Sequence, residues 1–372
     1  MAGPVVITGG GTGGHVFPMQ AIAEALRDSG VAPSELRFVG SRRGQEAQLL
    51  SGGDVALTLL PGRGLRRSWR AKDALRNVGA ALALVGALAL ALVLLRRWRP
   101  SVVVSVGGYA SFAVSVAAMC WRTPLVLVEL DATPGAAQRI VGRYAAKRCC
   151  AFPTAGANVV VTGVPLRDEI ETVDRSRAAR NAAKAAIAPP IDESRLVVVV
   201  MTGSLGSTRV NRAIRELAHE WTAREDRAIL HVTGRRDFDE IVAGAPVSHG
   251  LDYRVVAFAD MVELWTLCEV AICRAGAVTV AELTALSIPS VLVPLPGAPG
   301  DHQTKNARAV VDAGGAHLLR DADCTGVALA HALDEITEPL TLEGMSRGAG
   351  RLARREAARA IASVILDQRV TT

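Results

Sequence analysis

Val5-Val6-Ile7-Thr8-Gly9-Gly10-Gly11-Thr12-Gly13-Gly14-His15 is the stretch that decides the fold, and Phe17 to Leu26 after it carries apolar residues at helical spacing. An apolar run, a glycine turn and a helical pattern in that order predict a strand, a tight loop and a helix start. Glycine at five of the six positions from 9 to 14 leaves no Cβ to hold a ligand away. The helix beyond offers N–H donors and a partial positive charge. The turn reads as an anion cradle, and its one titratable side chain is His15.

Gly9, Gly11 and Gly14 also fit the Gly-x-Gly-x-x-Gly dinucleotide fingerprint. That fingerprint expects an acidic residue for the ribose after the next strand, whereas Leu36–Val39 runs into Gly40-Ser41-Arg42-Arg43. Arg42 would suit a 2′-phosphate, so a dehydrogenase is weakened here and stays open.

A chain of 372 residues, half of them hydrophobic, accommodates two α/β domains of ordinary size. Aromatics make up only 4%, and the Ala, Val and Leu that dominate suit parallel strands buried on both faces. The net charge of +6 favours anionic partners, whether nucleic acid, acidic lipid or a phosphorylated substrate. Cysteines at 120, 149, 150, 268, 273 and 324 include no Cys-x-x-Cys pair. They suggest neither a zinc site nor a disulfide framework, which points to a reducing cytosol. No basic leader or cleavage signal precedes the first strand, so export is not expected.

From Gly79 to Leu95 no residue is charged, and the run ends in Arg96-Arg97-Trp98-Arg99-Pro100. Its length sits at the lower edge of membrane-spanning helices, and its alanine content favours a buried or interfacial helix. Just before it, Arg63, Arg66, Arg67, Arg70 and Lys72 flank Leu65 and Trp69. Cations interleaved with apolar residues suit an anionic membrane surface; a solvated basic face is the plainer alternative.

The first sheet continues through Ser101–Val106, which ends in the turn Gly107-Gly108-Tyr109, and through Leu125–Val128, with Glu129 and Asp131 just past it. Ligands collect at the carboxyl ends of strands in open α/β sheets, so these turns mark a cleft. A second α/β set follows: strands are expected at Leu196–Met201, Ala228–Val232, Tyr253–Phe258, Val270–Cys273 and Ser290–Val293, and a last helix at Arg351–Leu366. Gly203-Ser204-Leu205-Gly206 and Cys273-Arg274-Ala275-Gly276 are again glycine turns after strands. The N–H groups near Ala277 to Thr279 would meet a phosphate oxygen, and Glu282, one turn on, could accept ribose hydroxyls. Alternatively Thr279 caps this helix and Glu282 completes a capping box.

Taken together, Gly-Gly-Gly-Thr-Gly-Gly-His-Val-Phe-Pro at 9–18, Val-Gly-Gly-Tyr at 106–109, Gly-Ser-Leu-Gly at 203–206, Cys-Arg-Ala-Gly-Ala-Val-Thr-Val-Ala-Glu at 273–282 and Asp-His-Gln-Thr-Lys-Asn-Ala at 301–307 resemble the MurG family. That family transfers N-acetylglucosamine from its UDP donor to lipid I, giving lipid II in peptidoglycan synthesis. The resemblance implies an α/β GT-B fold: two Rossmann-like, doubly wound parallel-sheet domains facing a central cleft. Their limits are drawn at 1–163 for the acceptor and membrane domain and 164–346 for the UDP-sugar domain. A C-terminal helix within 347–372 is free to pack back on the first domain.

Carried over residue by residue, the resemblance places Thr12, Gly13, Gly14, Asp131, Arg167, Ser204, Phe258, Ala277, Val278, Thr279, Val280, Ala281, Glu282, Gln303 and Asn306 on the donor. Phe258 would lie against the uracil and Gln303 and Asn306 at the sugar hydroxyls. Arg63, Leu65, Arg66, Arg67, Trp69, Arg70, Gly107, Gly108 and Tyr109 would serve the membrane and the lipid acceptor. The implied reaction is inverting and needs neither cofactor nor metal, with His15 or Glu129 as the base. An ordinary histidine loses its proton near about pH 6.5, whereas Glu129 would need burial or the charge of Asp131 on the same strand face. Asp237-Phe238-Asp239 and Asp321-Ala322-Asp323 have the Asp-x-Asp form of metal-dependent transferases but sit where helix caps are expected. The implied location is peripheral, on the cytoplasmic face of the bacterial inner membrane, near other cell-wall enzymes.

Two places depart from the family's pattern, and one of them is Thr202, which begins the second glycine loop where glycine is usual. Val128-Glu129-Leu130-Asp131 stands where His-Glu-Gln-Asn is usual, which bears on the acceptor more than on the donor. Two rivals follow: a related transferase with another lipid or small-molecule acceptor, and a non-catalytic UDP-sugar-binding subunit. Nucleic acid is not expected, since the basic cluster abuts apolar sequence and no stacking module is visible.

Overall fold

The computed structural model describes residues 3–61, 71–203 and 206–369, with side chains 71–78 and 136 outside the description. Arg63, Leu65, Arg66, Arg67, Trp69, Arg70 and Ser204 therefore lie outside the described residues. The chain forms two compact units, Met1–Arg167 with Glu356–Thr372, and Asp168–Arg355. The limits drawn from sequence fall at 163/164 and 346/347.

Unit 1 is built on β1 (Val5–Thr8), β2 (Leu36–Ser41), β3 (Ala56–Leu60), β4 (Val102–Ser105), β5 (Leu125–Glu129), β6 (Lys147–Cys150) and β7 (Val159–Val161). The sheet is parallel throughout, in the order β3-β2-β1-β4-β5-β6-β7. The runs of Val, Ile and Leu in β1, β4 and β5 are buried from end to end, as helix cover on both faces requires. Helices α1 (Gly13–Asp28), α2 (Glu46–Leu50), α3 (Ala71–Trp98), α4 (Tyr109–Cys120) and α5 (Ala136–Val141) connect them. Strand order reverses at β1 and β4, whose carboxyl ends Thr8 and Ser105 are register partners.

Unit 2 repeats the plan with β8 (Leu196–Met201), β9 (Arg227–Val232), β10 (Asp252–Val256), β11 (Val270–Cys273), β12 (Ser290–Leu292) and β13 (Ala316–Leu318). Its order is β10-β9-β8-β11-β12-β13, again parallel, with the reversal at β8 and β11.

Several expectations need correction. α1 begins at Gly13 and not at Phe17, so the helix absorbs the end of the glycine turn. β5 stops at Glu129, so Glu129 and Asp131 do not share a strand face. β10 stops at Val256 and leaves Phe258 beyond it. The last helix is Ala357–Asp367, preceded by non-helical residues from Arg351, with Glu356 at φ +64°. Its buried Ala358, Ile361, Ala362 and Ile365 belong to unit 1, where it packs on α1.

His231 on β9 sits fully buried behind the first glycine turn of unit 2. Its Nδ1 is 2.9 Å from the Tyr253 hydroxyl and its Nε2 is 3.1 Å from Asn211 Oδ1. Burial pushes its pKa down to about 3, so the folded ring stays neutral while the unfolded one takes up a proton below about pH 6.5. The unfolded state then binds more protons, and stability falls as the pH drops through that window. Denaturant titration of the wild type should lose up to ~1.4 kcal/mol per pH unit from this group below about pH 6.5. His231→Gln, though less stable at pH 7, should show a shallower slope.

Candidate active site

In unit 1 the residues that sequence places near the reaction gather at the carboxyl ends of β1 and β4. A Cβ on Gly108 would stand 2.2 Å from the Gly10 carbonyl oxygen, so only glycine lets these two turns meet. The His15 ring lies across them, with Cδ2 and Nε2 each 3.2 Å from where a Cβ on Gly107 would stand. Its Nδ1 is 3.5 Å from Thr12 Oγ1. Tyr109 opens α4, its hydroxyl bonds Ser41 Oγ, and its ring edge lies beside Gly11. The Arg167 guanidinium stacks over the Phe17 ring at 4.6 Å, next to Gly13. Thr12, Gly13, Gly14, His15, Gly107, Gly108, Tyr109 and Arg167 are thus brought together.

The turn is not the open cradle that its glycines suggest. Glu46, fully buried at the start of α2, accepts from Gly11 N–H at 2.9 Å and Ser41 N–H at 3.1 Å through Oε1. Gln45 Oε1 accepts from Gly13 N–H at 2.7 Å. Two of the donors expected for a ligand are therefore taken by side chains, leaving the exposed Thr12 and Gly14 as the accessible part. A Cβ on Gly10 would stand 1.6 Å from Glu46 Oε1, which shows how tightly the loop wraps the carboxylate. Sequence reading missed Glu46 because nothing local ties it to a turn 35 residues away.

Glu129, the other candidate base, already has a partner. It is 3% exposed, and Arg148 grips it at both oxygens, Nε to Oε1 at 3.0 Å and Nη2 to Oε2 at 2.9 Å. The Cys150 thiol also points at Oε2, at 3.4 Å. The bond to Glu129 makes Arg148 hold its own proton more firmly, while burial pushes the Cys150 thiol up to about 12. A carboxylate so engaged is anchored at both oxygens and held toward β6. Asp131 follows in the loop, half-buried.

Unit 2 presents the nucleotide-type features. The helix Ala277–Ala285 starts at Gly276 without a side-chain cap, so the capping box of Thr279 and Glu282 does not form. The backbone of Ala277, Val278 and Thr279 opens its first turn, and Val280 and Ala281 carry the helix on to Glu282. Glu282 is buried and accepts from the Trp265 indole Nε1 at 3.2 Å, which fixes its carboxylate. Phe258 stands 72% exposed, an unusual setting for a ring that size. Gln303 Oε1 accepts from Leu295 N–H at 2.9 Å, so its oxygen braces the 295–303 loop. Asn306 is fully buried and donates to the Ala275 carbonyl at 3.2 Å. That bond holds the turn after β11 from within.

Arg274 is a second residue that sequence reasoning passed over. Its guanidinium donates to the Val293 and Pro294 carbonyls, each at 3.1 Å, and to Ser207 Oγ at 2.5 Å, and it pairs with Asp321 at 2.6 Å. One side chain so ties the turn after β11 to the turn after β8. In the Asp-x-Asp pairs Asp237, Asp321 and Asp323 are engaged by neighbouring side chains, and Asp237 stands at the N-cap position of the helix Phe238–Ala243 without a side-chain cap bond. Asp237 bonds Arg236, Thr208 and Asn211, while Asp321 and Asp323 pair with arginines.

With that geometry in place, likeness to known proteins becomes informative. Residues 5–149 match the glycosyltransferase family 28 N-terminal domain, and residues 197–363 match the glycosyltransferase family 28 C-terminal domain. A UDP-N-acetylglucosamine--N-acetylmuramyl-(pentapeptide) pyrophosphoryl-undecaprenol N-acetylglucosamine transferase from Anaeromyxobacter dehalogenans is 37% identical, over 98% of this chain and 92% of its own. The enzyme of the same name from Alkalilimnicola ehrlichii is 36% identical over 99% of both. The chain belongs to the MurG family of glycosyltransferases. Acinetobacter baumannii MurG, at 25% identity, superposes with a TM-score of 0.76 over 98% of this chain and 99% of that one. The glycotransferase of kitacinnamycin, at 16% identity and a TM-score of 0.73 over the whole of both chains, shares the fold. The fold is GT-B, and the family makes the chain a hexosyltransferase.

Glu46 offers a test of how the family's first turn is held. Glu46→Ala strands two buried N–H groups, each worth about 1–3 kcal/mol, so the thermal midpoint should drop. His15 should be misplaced with it, lowering kcat by about tenfold or more. Calorimetry and steady-state kinetics on the same preparation check both.

Proposed function

We propose that this chain transfers N-acetylglucosamine from UDP-N-acetylglucosamine to lipid I, undecaprenyl-pyrophosphoryl N-acetylmuramyl-pentapeptide, to give lipid II. The observation that carries the reading is end-to-end likeness to transferases of that name, at 36–37% identity. The geometry of each unit supports it. His15 acts as the base: it takes the proton of the acceptor hydroxyl as that oxygen attacks the anomeric carbon from the face opposite the leaving UDP. The bond to the diphosphate breaks in the same step and the anomeric centre inverts. Negative charge gathering on the diphosphate is met by the N–H groups of Ala277 to Thr279. Glu282 accepts the ribose hydroxyls, Phe258 stacks on the uracil, and the Gln303 amide nitrogen serves the sugar. Glu129, held by Arg148, positions the acceptor-side loop and does not take the proton.

Labelled donor offered to the purified chain should reach lipid I and not diacylglycerol; transfer to diacylglycerol alone would favour the rival acceptor. His15→Ala should lower kcat by about 10²–10⁴-fold. Glu129→Gln should keep kcat within about tenfold but lose roughly 1–3 kcal/mol of stability, because the partly exposed Arg148 loses its counter-charge.

The same reading places the chain peripherally on the cytoplasmic face of the inner membrane, and α3 is its support. Gly79–Trp98 is long and apolar enough to cross a bilayer. Ala80, Ala87, Ala91 and Leu95 nevertheless fall on one face and pack into unit 1. The opposite face shows Leu82, Val85 and Val93, all largely exposed, with Arg96 and Arg97 at the end of the helix. A helix bound to its own domain along one side and apolar on the other suits lying in the interface. Replacing Leu82, Val85 and Val93 together by Glu should weaken sedimentation with anionic vesicles by at least about tenfold. Alkaline carbonate should release the wild type; retention in the bilayer would mean that α3 spans.

A further inference from the structure

We propose that a cavity of unit 1 bounded by Gln138, Arg139, Arg143, Arg148 and Asn158 is a carboxylate-binding subsite that seats the peptide of the acceptor. The proposal deepens the reading above and rests on it. The cavity measures about 400 Å³, room for a short peptide segment or a comparable polar group. Three of its lining residues are arginines, and one carboxylate, Glu129, approaches them. That carboxylate is spent on Arg148, through Nε and Nη2. Arg139 and Arg143 are exposed and have no carboxylate partner among the described residues. An arginine near a helix end is ordinary, since it complements the dipole. Two of them unpaired around a concavity whose third arginine is held rigid is a different matter: it is a net positive recess with forked donors, shaped for an oxyanion.

The position of the cavity connects it with the reaction. Gln138 donates Nε2 to the Val128 carbonyl at 3.0 Å, and the same atom lies 3.4 Å from where a Cβ on Gly107 would stand. The His15 ring lies 3.2 Å from that point. The recess therefore begins within one side chain of the proposed base, where groups hanging from the acceptor sugar must lie.

Two parts of that acceptor carry oxyanions, the diphosphate and the peptide. The diphosphate is tied to the bilayer by its lipid and belongs on the side of α3, whose outer face shows Leu82, Val85 and Val93. Arg139, Arg143 and Arg148 lie on α5, the turn after it and β6, toward the edge of the sheet opposite β3. That placement favours the peptide.

Arg139→Ala, Arg143→Ala and the double variant, as full chains, would be assayed with three acceptors: the intact pentapeptide, one with its carboxylates amidated, and one lacking the peptide but keeping the diphosphate. Each single change should raise the acceptor KM for the intact peptide by about tenfold, with kcat and donor KM within about twofold. The amidated and peptide-free acceptors should bind the wild type and the double variant alike. An equal rise for all three would assign the arginines to the diphosphate and overturn the proposal, as would no rise for any. Calorimetric titration of the free pentapeptide gives a readout that does not need turnover: wild type should bind it and the double variant should not, and equal binding would also overturn the proposal. Absence of turnover by the wild type with every acceptor would instead sink the transferase reading itself.

Discussion

Reversal of strand order beside β1 and again beside β8 is the constraint on which the rest of the molecule depends. At those two places neighbouring crossovers run to opposite faces of the sheet, and the carboxyl ends are left uncovered. Glycine turns can occupy the gap, but a loop rich in glycine loses more entropy on ordering than any other. Each unit meets that cost with a charged side chain, fully buried in unit 1 and partly buried in unit 2. In unit 1 Glu46 accepts from Gly11 and Ser41; in unit 2 Arg274 bonds Ser207 and the carbonyls that end β12.

The donors left over above those two side chains, more than the sign of their charges, divide the chemistry, since Arg274 is balanced by Asp321 at 2.6 Å. A carboxylate at the root of the first turn opposes the field of the helix start above it, and Glu46 and Gln45 have already used two of its donors. A neutral hydroxyl beside His15 suits that setting better than a diphosphate does. In unit 2 a guanidinium backs the turns, and the helix at Ala277 starts without a side-chain cap. Its dipole and its N–H groups are the better match for phosphate. The two turns look alike in sequence and differ in what lies beneath them.

What sequence could read follows from that distinction. β1, β4, β5, β8 and β11 are uninterrupted apolar runs because both faces of a central parallel strand are covered, and they were legible for that reason. β6, written Lys147-Arg148-Cys149-Cys150, and the mixed β3 and three-residue β13 lie at or near sheet edges, where burial is partial and the pattern fades. The glycine turns and His15 were legible because their chemistry is local. Glu46, Arg274 and Arg148 were not, since each acts on a partner between 19 and 67 residues away. Asn306 has the residue type for a sugar contact, and its bond to the Ala275 carbonyl, 31 residues away, was not legible in the sequence.

The ion pair of Glu129 with Arg148 gives the altered 128–131 segment a physical reading. A buried carboxylate gripped at both oxygens is costly to desolvate and costlier still to leave alone, about 3–5 kcal/mol when one partner is removed. Such a pair contributes less to stability than to fixing one arrangement. Here it pins the end of β5 to β6, at the point where Ala151 N–H also returns to the Glu129 carbonyl at 2.9 Å. With the carboxylate anchored inward, Leu130 follows it into the interior, and the Val128 carbonyl is left for Gln138. The apolar residues at 128 and 130 are then consequences of the pairing: once Glu129 is drawn inward to Arg148, its neighbours are packed where polar side chains would have no partners. The segment's function passes to groups that the pairing sets in place, Gln138 beside His15 and the rigid face of Arg148.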